Sequence, residues 1–201
     1  MTLERRLLIK ELDAALNKAS DSQHLKILRR VTDLFLEGSE AFSDDHVAIF
    51  DDVIGRLIEN AEKPALAELS DRLAPVRRAP MNVIARLSCN DDIAVSGPLL
   101  EKSNALTDQT LAEIAETKSQ KHLAMIAGRA QINEAVTDAL VVRSNFEVAR
   151  KVTENPGARL SEIGFVKLIN RAKDHKALAV AIAKRTDMPP ELGPFLKLAL
   201  T

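Results

Sequence analysis

The side chains that could perform catalysis or bind a metal are few and scattered along the 201-residue chain. The one cysteine, Cys89, precedes Asn90 and two aspartates, and its thiolate would need a histidine close by to act as a nucleophile. The four histidines stand singly, without the His-x-x-x-His or Cys-x-x-Cys spacing that brings two ligands to one metal, at His24, His46, His122 and His175. We therefore expect no catalytic set, no metal site and no cofactor, and we predict that the protein is not an enzyme.

The densest group of potential metal ligands has a simpler explanation. Asp44, Asp45 and His46 directly follow Ser43, with Asp51 and Asp52 one to two turns later. Serine is a preferred N-cap residue, and aspartate in the first turn complements the positive end of the helix dipole. Helix capping and a solvated acidic face account for this cluster. The seven glycines are dispersed and form no phosphate-binding loop.

A spaced pattern in the second half of the chain indicates repeated helical units. Ile-Ala-x-Arg occurs at 126–129 and again at 182–185, with apolar residues at the same later offsets, Val136 and Leu140 in one unit and Leu192 and Leu196 in the other. The 56 residues between the two units leave room for one more helical hairpin. Arg129 and Arg185 end their predicted helices, where a guanidinium can bind helix-terminal carbonyls, and we predict that both are structural arginines of the repeat.

Periodicity and helix-breaking residues predict an all-α chain. Residues 3–19 carry an amphipathic stripe, Ser20 has the capping-box spacing to Gln23, and Gly38 ends the next helix. In the second half we predict helices near 81–88, 92–102, 108–117, 120–129, 133–143, 146–154, 161–172, 175–185 and 189–199. Thr107, Ser144-x-x-Glu147 and Asp187 are the expected starts of three of them. No apolar run reaches the length of a membrane span.

Prolines 64, 75 and 80 place a boundary in the middle of the chain. We predict an N-terminal helical subdomain at residues 1–75 and a HEAT-like helical repeat region at residues 76–201, with one continuous domain as the alternative. The predicted fold is thus an irregular HEAT-like α-solenoid of antiparallel helix hairpins with an N-terminal helical bundle.

Charge is distributed unevenly along the chain. Residues 31–71 hold eleven acidic and two basic residues, a balance of −9, whereas residues 118–185 hold thirteen basic and six acidic residues, a balance of +7. Two solvated faces explain this asymmetry, and an anionic partner of the basic half is the alternative. The candidates for such a binding face are Arg143, Arg150, Lys151, Lys167 and Arg171. The chain has no Trp or Tyr to stack on bases, which argues against nucleic acid.

The order of several short motifs resembles one bacterial family. The motifs are Asp92-Ile93-Ala94-Val95-Ser96-Gly97-Pro98-Leu99-Leu100, Leu106-Thr107-Asp108, His122-Leu123-Ala124-Met125-Ile126-Ala127-Gly128-Arg129, Thr137-Asp138-Ala139-Leu140-Val141, Asn155-Pro156-Gly157-Ala158 and Arg185-Thr186-Asp187-Met188-Pro189. Together they resemble the bacterial domain of unknown function 2336 family. The resemblance implies an all-helical, HEAT-like domain over most of the chain, and it implies no reaction.

Two functions remain open from the sequence. We expect a non-catalytic helical-repeat scaffold for protein–protein interaction, with a regulatory or signalling role, in the cytoplasm and with an unidentified protein partner. The alternative is a ligand-responsive or hydrolytic helical domain that binds an anionic small molecule or nucleotide through its basic C-terminal half. A homodimer that pairs the acidic and basic halves is compatible with either function.

Overall fold

The structure, a computed structural model, describes residues 21–200, with side chains from residue 23 onward. Across this range the chain forms twelve α-helices and no β-strand, which confirms the predicted all-α class. The predicted amphipathic stripe at residues 3–19 and the capping residue Ser20 lie outside the described residues. The described residues divide into two compact units, unit 1 formed by residues 21–99 and 103–106 and unit 2 formed by residues 100–102 and 107–200.

Unit 1 contains four helices and most of a fifth: α1 (Asp21–Gly38), α2 (Asp44–Leu57), α3 (Lys63–Leu73), α4 (Met81–Ser88) and α5 (Ile93–Lys102). Helix α1 packs against α2 and α3, and α4 packs against the same two helices. Their shared core includes the fully buried Phe35, Ile54, Leu73 and Ile84.

The sequence-predicted boundary near residue 75 falls inside unit 1. The carboxylate of Asp51 on α2 accepts hydrogen bonds from the backbone amides of Asn82 and Val83, at 3.0 and 2.9 Å, and thereby caps the start of α4. Because this long-range cap satisfies amides that no residue of α4 can satisfy, it ties α4 to the helices before the prolines. The proline-rich stretch is a bent connector within one unit.

Unit 2 is built from α6 (Asp108–Thr117), α7 (Gln120–Ile126), α8 (Glu134–Arg143), α9 (Phe146–Glu154), α10 (Glu162–Ala172), α11 (Lys176–Ala183) and α12 (Gly193–Leu200). Helices α6, α8, α10 and α12 pack successively in one row, and α7, α9 and α11 pack successively in a second row. In the second row, α7 also packs against α6, α9 against α8, and α11 against both α10 and α12. The predicted spans at 81–88, 108–117 and 146–154 coincide with α4, α6 and α9, and the other predicted spans differ by a few residues at one or both ends.

A 28-residue interval relates three helices of the first row, α8, α10 and α12. Leu140, Leu168 and Leu196 occupy the same place on α8, α10 and α12, and all three are buried. Asn133 and Ser161, again 28 residues apart, cap α8 and α10. The side-chain oxygen of each accepts a hydrogen bond from the backbone amide three residues later. The middle unit that the sequence left room for is therefore a hairpin of α9 and α10.

Two predicted helix starts are wrong. The Ser144-x-x-Glu147 box does not form, because the amide oxygen of Asn145 accepts from the Val148 amide at 2.9 Å and takes the N-cap position instead. Asp187 does not cap the last helical segment, since its carboxylate accepts from Arg185 at 2.6 and 2.8 Å. Thr107, by contrast, caps α6 as expected, accepting from the Thr110 amide.

Candidate functional site: the edges and grooves of unit 2

Three side chains on one edge of unit 2 bind backbone carbonyls of the preceding helical layer. Arg129 donates from Nη1 to the carbonyl of Leu100 at 2.8 Å. Asn155 donates from Nδ2 to the carbonyls of Ala127 and Arg129, at 2.9 and 2.8 Å. Arg185 donates to three carbonyls at 2.7 to 3.1 Å, those of Thr153, Asn155 and Ala158. We call these three side chains the carbonyl ladder.

The carbonyl ladder satisfies acceptors that the helices cannot satisfy themselves. The last turn of an α-helix leaves its carbonyls without amide partners, and a charged donor forms stronger hydrogen bonds with them than a neutral one. Arg129 is 8% exposed, and burial lowers its pKa while the nearby carboxylate of Asp108 acts in the opposite direction. The Arg185 guanidinium is similarly enclosed and lies 5.7 Å from the centre of the Phe165 ring.

Asn155, rather than an arginine, binds the carbonyls of the middle layer. The sequence pattern did not predict this role, because the position 28 residues from both Arg129 and Arg185 is Gly157. The side chain of Asn155 is shorter than that of an arginine, so the loops must approach more closely. They do so at Gly157, where an added Cβ would lie 1.9 Å from the Ala130 carbonyl oxygen. A parallel bridge between Ile132 and Ala158 joins the same two loops. The Asn-Pro-Gly-Ala motif at 155–158 was the available signal, because a glycine two residues after an asparagine marks a close backbone approach.

On the opposite edge, two predicted binding residues also contact carbonyls. Arg143 donates to the carbonyls of Ala115 and Lys118 at 2.8 and 3.2 Å. Arg171, 28 residues later, donates to the carbonyls of Val141 and Ser144 at 2.8 and 2.7 Å, and burial lowers its pKa. Both guanidiniums therefore link the turn of one hairpin to the turn of the next.

The remaining predicted binding residues differ in their surroundings. Arg150 pairs with Glu154 one turn away at 3.4 Å, and Lys151 donates to the Ala124 carbonyl at 2.7 Å. Lys167 is exposed on α10. The structure thus brings Arg150 and Lys151 together on α9, and it places Arg143, Lys167 and Arg171 elsewhere.

Two grooves flank the exposed side of α9. The first, of about 440 Å³, lies between α7 and α9 and is lined by charged residues of both signs: Lys121, Glu147, Arg150, Lys151 and Glu154. The second, of about 330 Å³, lies between α9 and α11 and is lined by Glu154, Lys184, Arg185, Thr186 and Asp187 among others. We call this side of α7, α9 and α11 the grooved face.

The side-chain pairs that resemble catalytic groups are helix caps. Ser43 and His46 at the start of α2 approach at 3.0 Å, and Ser119 and His122 at the start of α7 approach at 2.8 Å. In both, the serine is the N-cap and the histidine is three residues later, the spacing of a capping box. Cys89 is exposed at the end of α4. Within residues 21–200, no cluster of three His, Cys, Asp or Glu side chains has the geometry to hold a metal ion.

Across residues 21–200 the fold is that of an all-helical protein. Residues 95–194 match the model of a family described as an uncharacterised protein conserved in bacteria, DUF2336. This region of the chain belongs to that family, which confirms the resemblance read from the sequence motifs. No curated protein and no solved structure matches the chain. None of the helices between residues 21 and 200 combines the length and apolar character needed to cross a bilayer.

Proposed function

We propose that unit 2 is an irregular HEAT-like α-solenoid and that the protein is a non-catalytic helical-repeat scaffold for protein–protein interaction. Two observations support the solenoid. Successive helices pack against each other within each row, and a 28-residue interval relates α8, α10 and α12. The observation that carries the scaffold function is the carbonyl ladder, in which the most enclosed cations of unit 2, Arg129 and Arg185, form internal hydrogen bonds. Exposed lysines such as Lys121 and Lys184 line the grooved face.

The grooved face is the partner surface that we propose. Its cations and carboxylates alternate across two shallow grooves, and such a surface suits a polypeptide with charges of both signs better than a single anion. Arg150 and Glu154 pair with each other on the ridge between the grooves. We place this activity in the cytoplasm, with a regulatory or signalling role.

Co-purification from the native host with paired variants tests the scaffold function. A double variant, Lys121→Glu with Lys184→Glu, reverses one exposed charge in each groove. Its matched control of equal charge change is Lys167→Glu with Lys173→Glu, which reverses two exposed charges on and at the end of α10. We expect one identified protein to co-purify with the wild type and the control, and to be lost from the double variant. Loss from all three chains, or retention by all three, would contradict the use of the grooved face.

A second candidate is the binding of an anionic small molecule between α7 and α9. The observation that favours it is the convergence of Lys121, Arg150 and Lys151 from two helices on one groove. Titration calorimetry with inorganic pyrophosphate and with a nucleoside triphosphate tests this function directly. Binding that Lys121→Glu weakens at least tenfold while Lys167→Glu leaves it unchanged would favour this candidate over the scaffold.

A further inference from the structure

Helices α10 and α12 expose two pairs of large apolar side chains. Ile163 and Val166 lie one turn apart on α10 and are 64% and 41% exposed. Phe195 and Leu198 lie one turn apart on α12 and are 59% and 72% exposed, and Leu200 at the end of α12 is less exposed. The two helices pack against each other, and we call the four paired side chains the apolar face.

Stacking of the repeat does not require apolar residues at these places. By the 28-residue interval, the buried Leu168 of α10 is equivalent to the buried Leu196 of α12. By the same interval, Phe195 is equivalent to Lys167 and Leu198 to Asn170, and both of these α10 residues are exposed. Polar residues are therefore compatible with the outward positions of a repeat helix. The apolar residues on α12 call for another explanation.

A further helix pair stacked on α12 does not supply that explanation. On α10, Ile169 occupies a position that is 3% exposed, and the equivalent position on α12 is the exposed Lys197. A repeat packed on α12 as α12 packs on α10 would bury that lysine, which is costly without a partner charge. The apolar face thus needs an occupant that approaches from outside the row.

We propose that the apolar face pairs with the same face of a second copy of this chain across a two-fold axis. Charge allows this pairing, because the exposed charged residues beside the apolar side chains are two acids and two bases, Glu162, Lys167, Glu191 and Lys197. A two-fold contact brings the same patch together from both copies, so a patch of balanced charge meets no net repulsion. The acids also disfavour an anionic membrane as the occupant.

The area of the apolar face sets the strength of the dimer. The four side chains expose roughly 350 Å² of apolar surface, given the areas typical of fully exposed Phe and aliphatic side chains. Since an interface core is about two-thirds apolar, each copy would bury roughly 500 Å². The total of about 1,000 Å² is at the lower limit for a specific interface, so we expect a dissociation constant in the micromolar range, with Phe195 as the anchor.

Sedimentation equilibrium of the full chain over about 1–200 μM tests the dimer. We expect a monomer–dimer equilibrium, at least a tenfold higher dissociation constant for Phe195→Ser with Leu198→Ser, and no change for Val180→Ser, which removes an exposed apolar residue of α11. A wild-type chain that stays monomeric, or a double variant that dimerises as well as the wild type, would overturn the proposal. Neither result would affect the grooved face, which lies on the other helix row, so the proposed scaffold function is tested separately.

Disulfide cross-linking gives a second readout that does not depend on loss of association. In a Cys89→Ser background, Leu198→Cys places a thiol in the apolar face, and Val180→Cys places one outside it. We expect oxidation to link Leu198→Cys chains into covalent dimers and to leave Val180→Cys chains monomeric. Equal cross-linking of the two, or binding of the monomer to phosphatidylcholine vesicles that the serine double variant abolishes, would contradict the second copy as occupant.

Discussion

The two units of the molecule hold their helices together by different polar contacts. In unit 1, long-range ion pairs join carboxylates and guanidiniums at exposed or partly exposed positions, such as Arg29 with Glu68 at 2.7 Å and Arg72 with Asp33. In unit 2, the inter-helix guanidiniums donate to backbone carbonyls. Arg78 and Arg86 of unit 1 also donate to a carbonyl, but each forms an ion pair with a carboxylate far away in the chain. The ion pair of Arg185 in unit 2 is local, with Asp187 two residues later.

The apolar contacts of the two units also differ. Unit 1 groups three aromatic rings, Phe35, Phe42 and Phe50, with centres 5.2 to 6.2 Å apart. Unit 2 repeats aliphatic residues at fixed intervals. A backbone carbonyl is present in every repeat whatever its sequence, whereas an ion pair or an aromatic cluster needs chosen partners. The comparison indicates that a carbonyl ladder suits a repeated architecture because its acceptor is always available.

The largest expected effect comes from removing a ladder arginine. Arg185→Leu removes the charged donor from three carbonyls at and just beyond the end of α9, and we expect unit 2 to lose about 3 kcal/mol of unfolding free energy. Hydrogen exchange measured by mass spectrometry should accelerate in α9 and α11 and not in α1.

The matched control in unit 1 is Arg29→Leu, which removes an exposed ion pair with Glu68. The carboxylate of Glu68 raises the pKa of Arg29 through a hydrogen bond and its charge, but both side chains are open to water. We expect no measurable change in exchange for this variant. Equal acceleration of hydrogen exchange by Arg29→Leu and Arg185→Leu would contradict the difference between the polar contacts of the two units.

A smaller effect is expected from the close approach of the loops in the middle layer. Gly157→Ala places a methyl group against the Ala130 carbonyl, and because the neighbour is backbone, we expect a loss of about 2 kcal/mol in urea unfolding. Gly193→Ala is the control, since nothing lies within 4 Å of its added Cβ. That control should be neutral or stabilising by up to about 1 kcal/mol. A neutral Gly157→Ala would show that the loops tolerate separation and that Asn155 does not require their approach.

On the edge formed by Arg143 and Arg171, a cation that binds carbonyls can be compared with a surface cation of the same helix. Arg171→Ala should cost about 1.5 kcal/mol because two carbonyls lose a charge-assisted bond. Lys167→Ala, one turn away on the same helix and exposed, should change stability by less than about 0.5 kcal/mol. Thermal unfolding of both variants measures the difference, and similar melting temperatures would argue that Arg171 is a surface residue like Lys167.

The smallest effect concerns Asp187, which orients Arg185. The hydrogen bond from Arg185 lowers the pKa of Asp187 below its ordinary value, although burial acts in the opposite direction. A lowered folded-state pKa adds stability above about pH 4, and this contribution is lost as the pH falls through the folded-state value. Asp187→Asn should therefore be less stable than the wild type at pH 7 in urea unfolding, and the difference should shrink on acidification. A difference that persists at pH 2 would exclude the carboxylate charge as its origin.

Much of the secondary structure was predictable because its signals are local. Apolar spacing and helix-breaking residues predicted α4, α6 and α9 to the residue. The Ile-Ala-x-Arg pattern placed Arg129 and Arg185 in the last turns of their helices, but α7 ends at Ile126 and α11 at Ala183, so both arginines lie just beyond the helix ends. The Ser144-x-x-Glu147 box failed because Asn145, one residue later, competes for the same cap and wins it. Which of the two neighbours becomes the N-cap depends on where the preceding helix ends. Ser144 is already the C-cap of α8, so Asn145 is the N-cap of α9.

The roles of the basic residues were less predictable. Arg143, Lys151, Lys167 and Arg171 look alike in the sequence as cations of the basic half, yet only Lys167 is a plain surface residue, while the other three donate to carbonyls. Whether a guanidinium or ammonium group meets water or a carbonyl depends on the distance to a helix 27 to 30 residues earlier in the chain. No local pattern encodes that distance.

Periodicity and composition were enough to predict that this chain is helical, and they indicated repeated units and a mainly aliphatic interior in its second half. The tertiary structure was needed to show that Asn155, rather than an arginine, binds the carbonyls of the middle layer, and that α10 and α12, which carry the apolar face, pack against each other. The physical reason is that capping and packing between layers depend on how closely two loops or helices approach. That approach is set by residues far apart in the chain, such as Gly157 and Ala130.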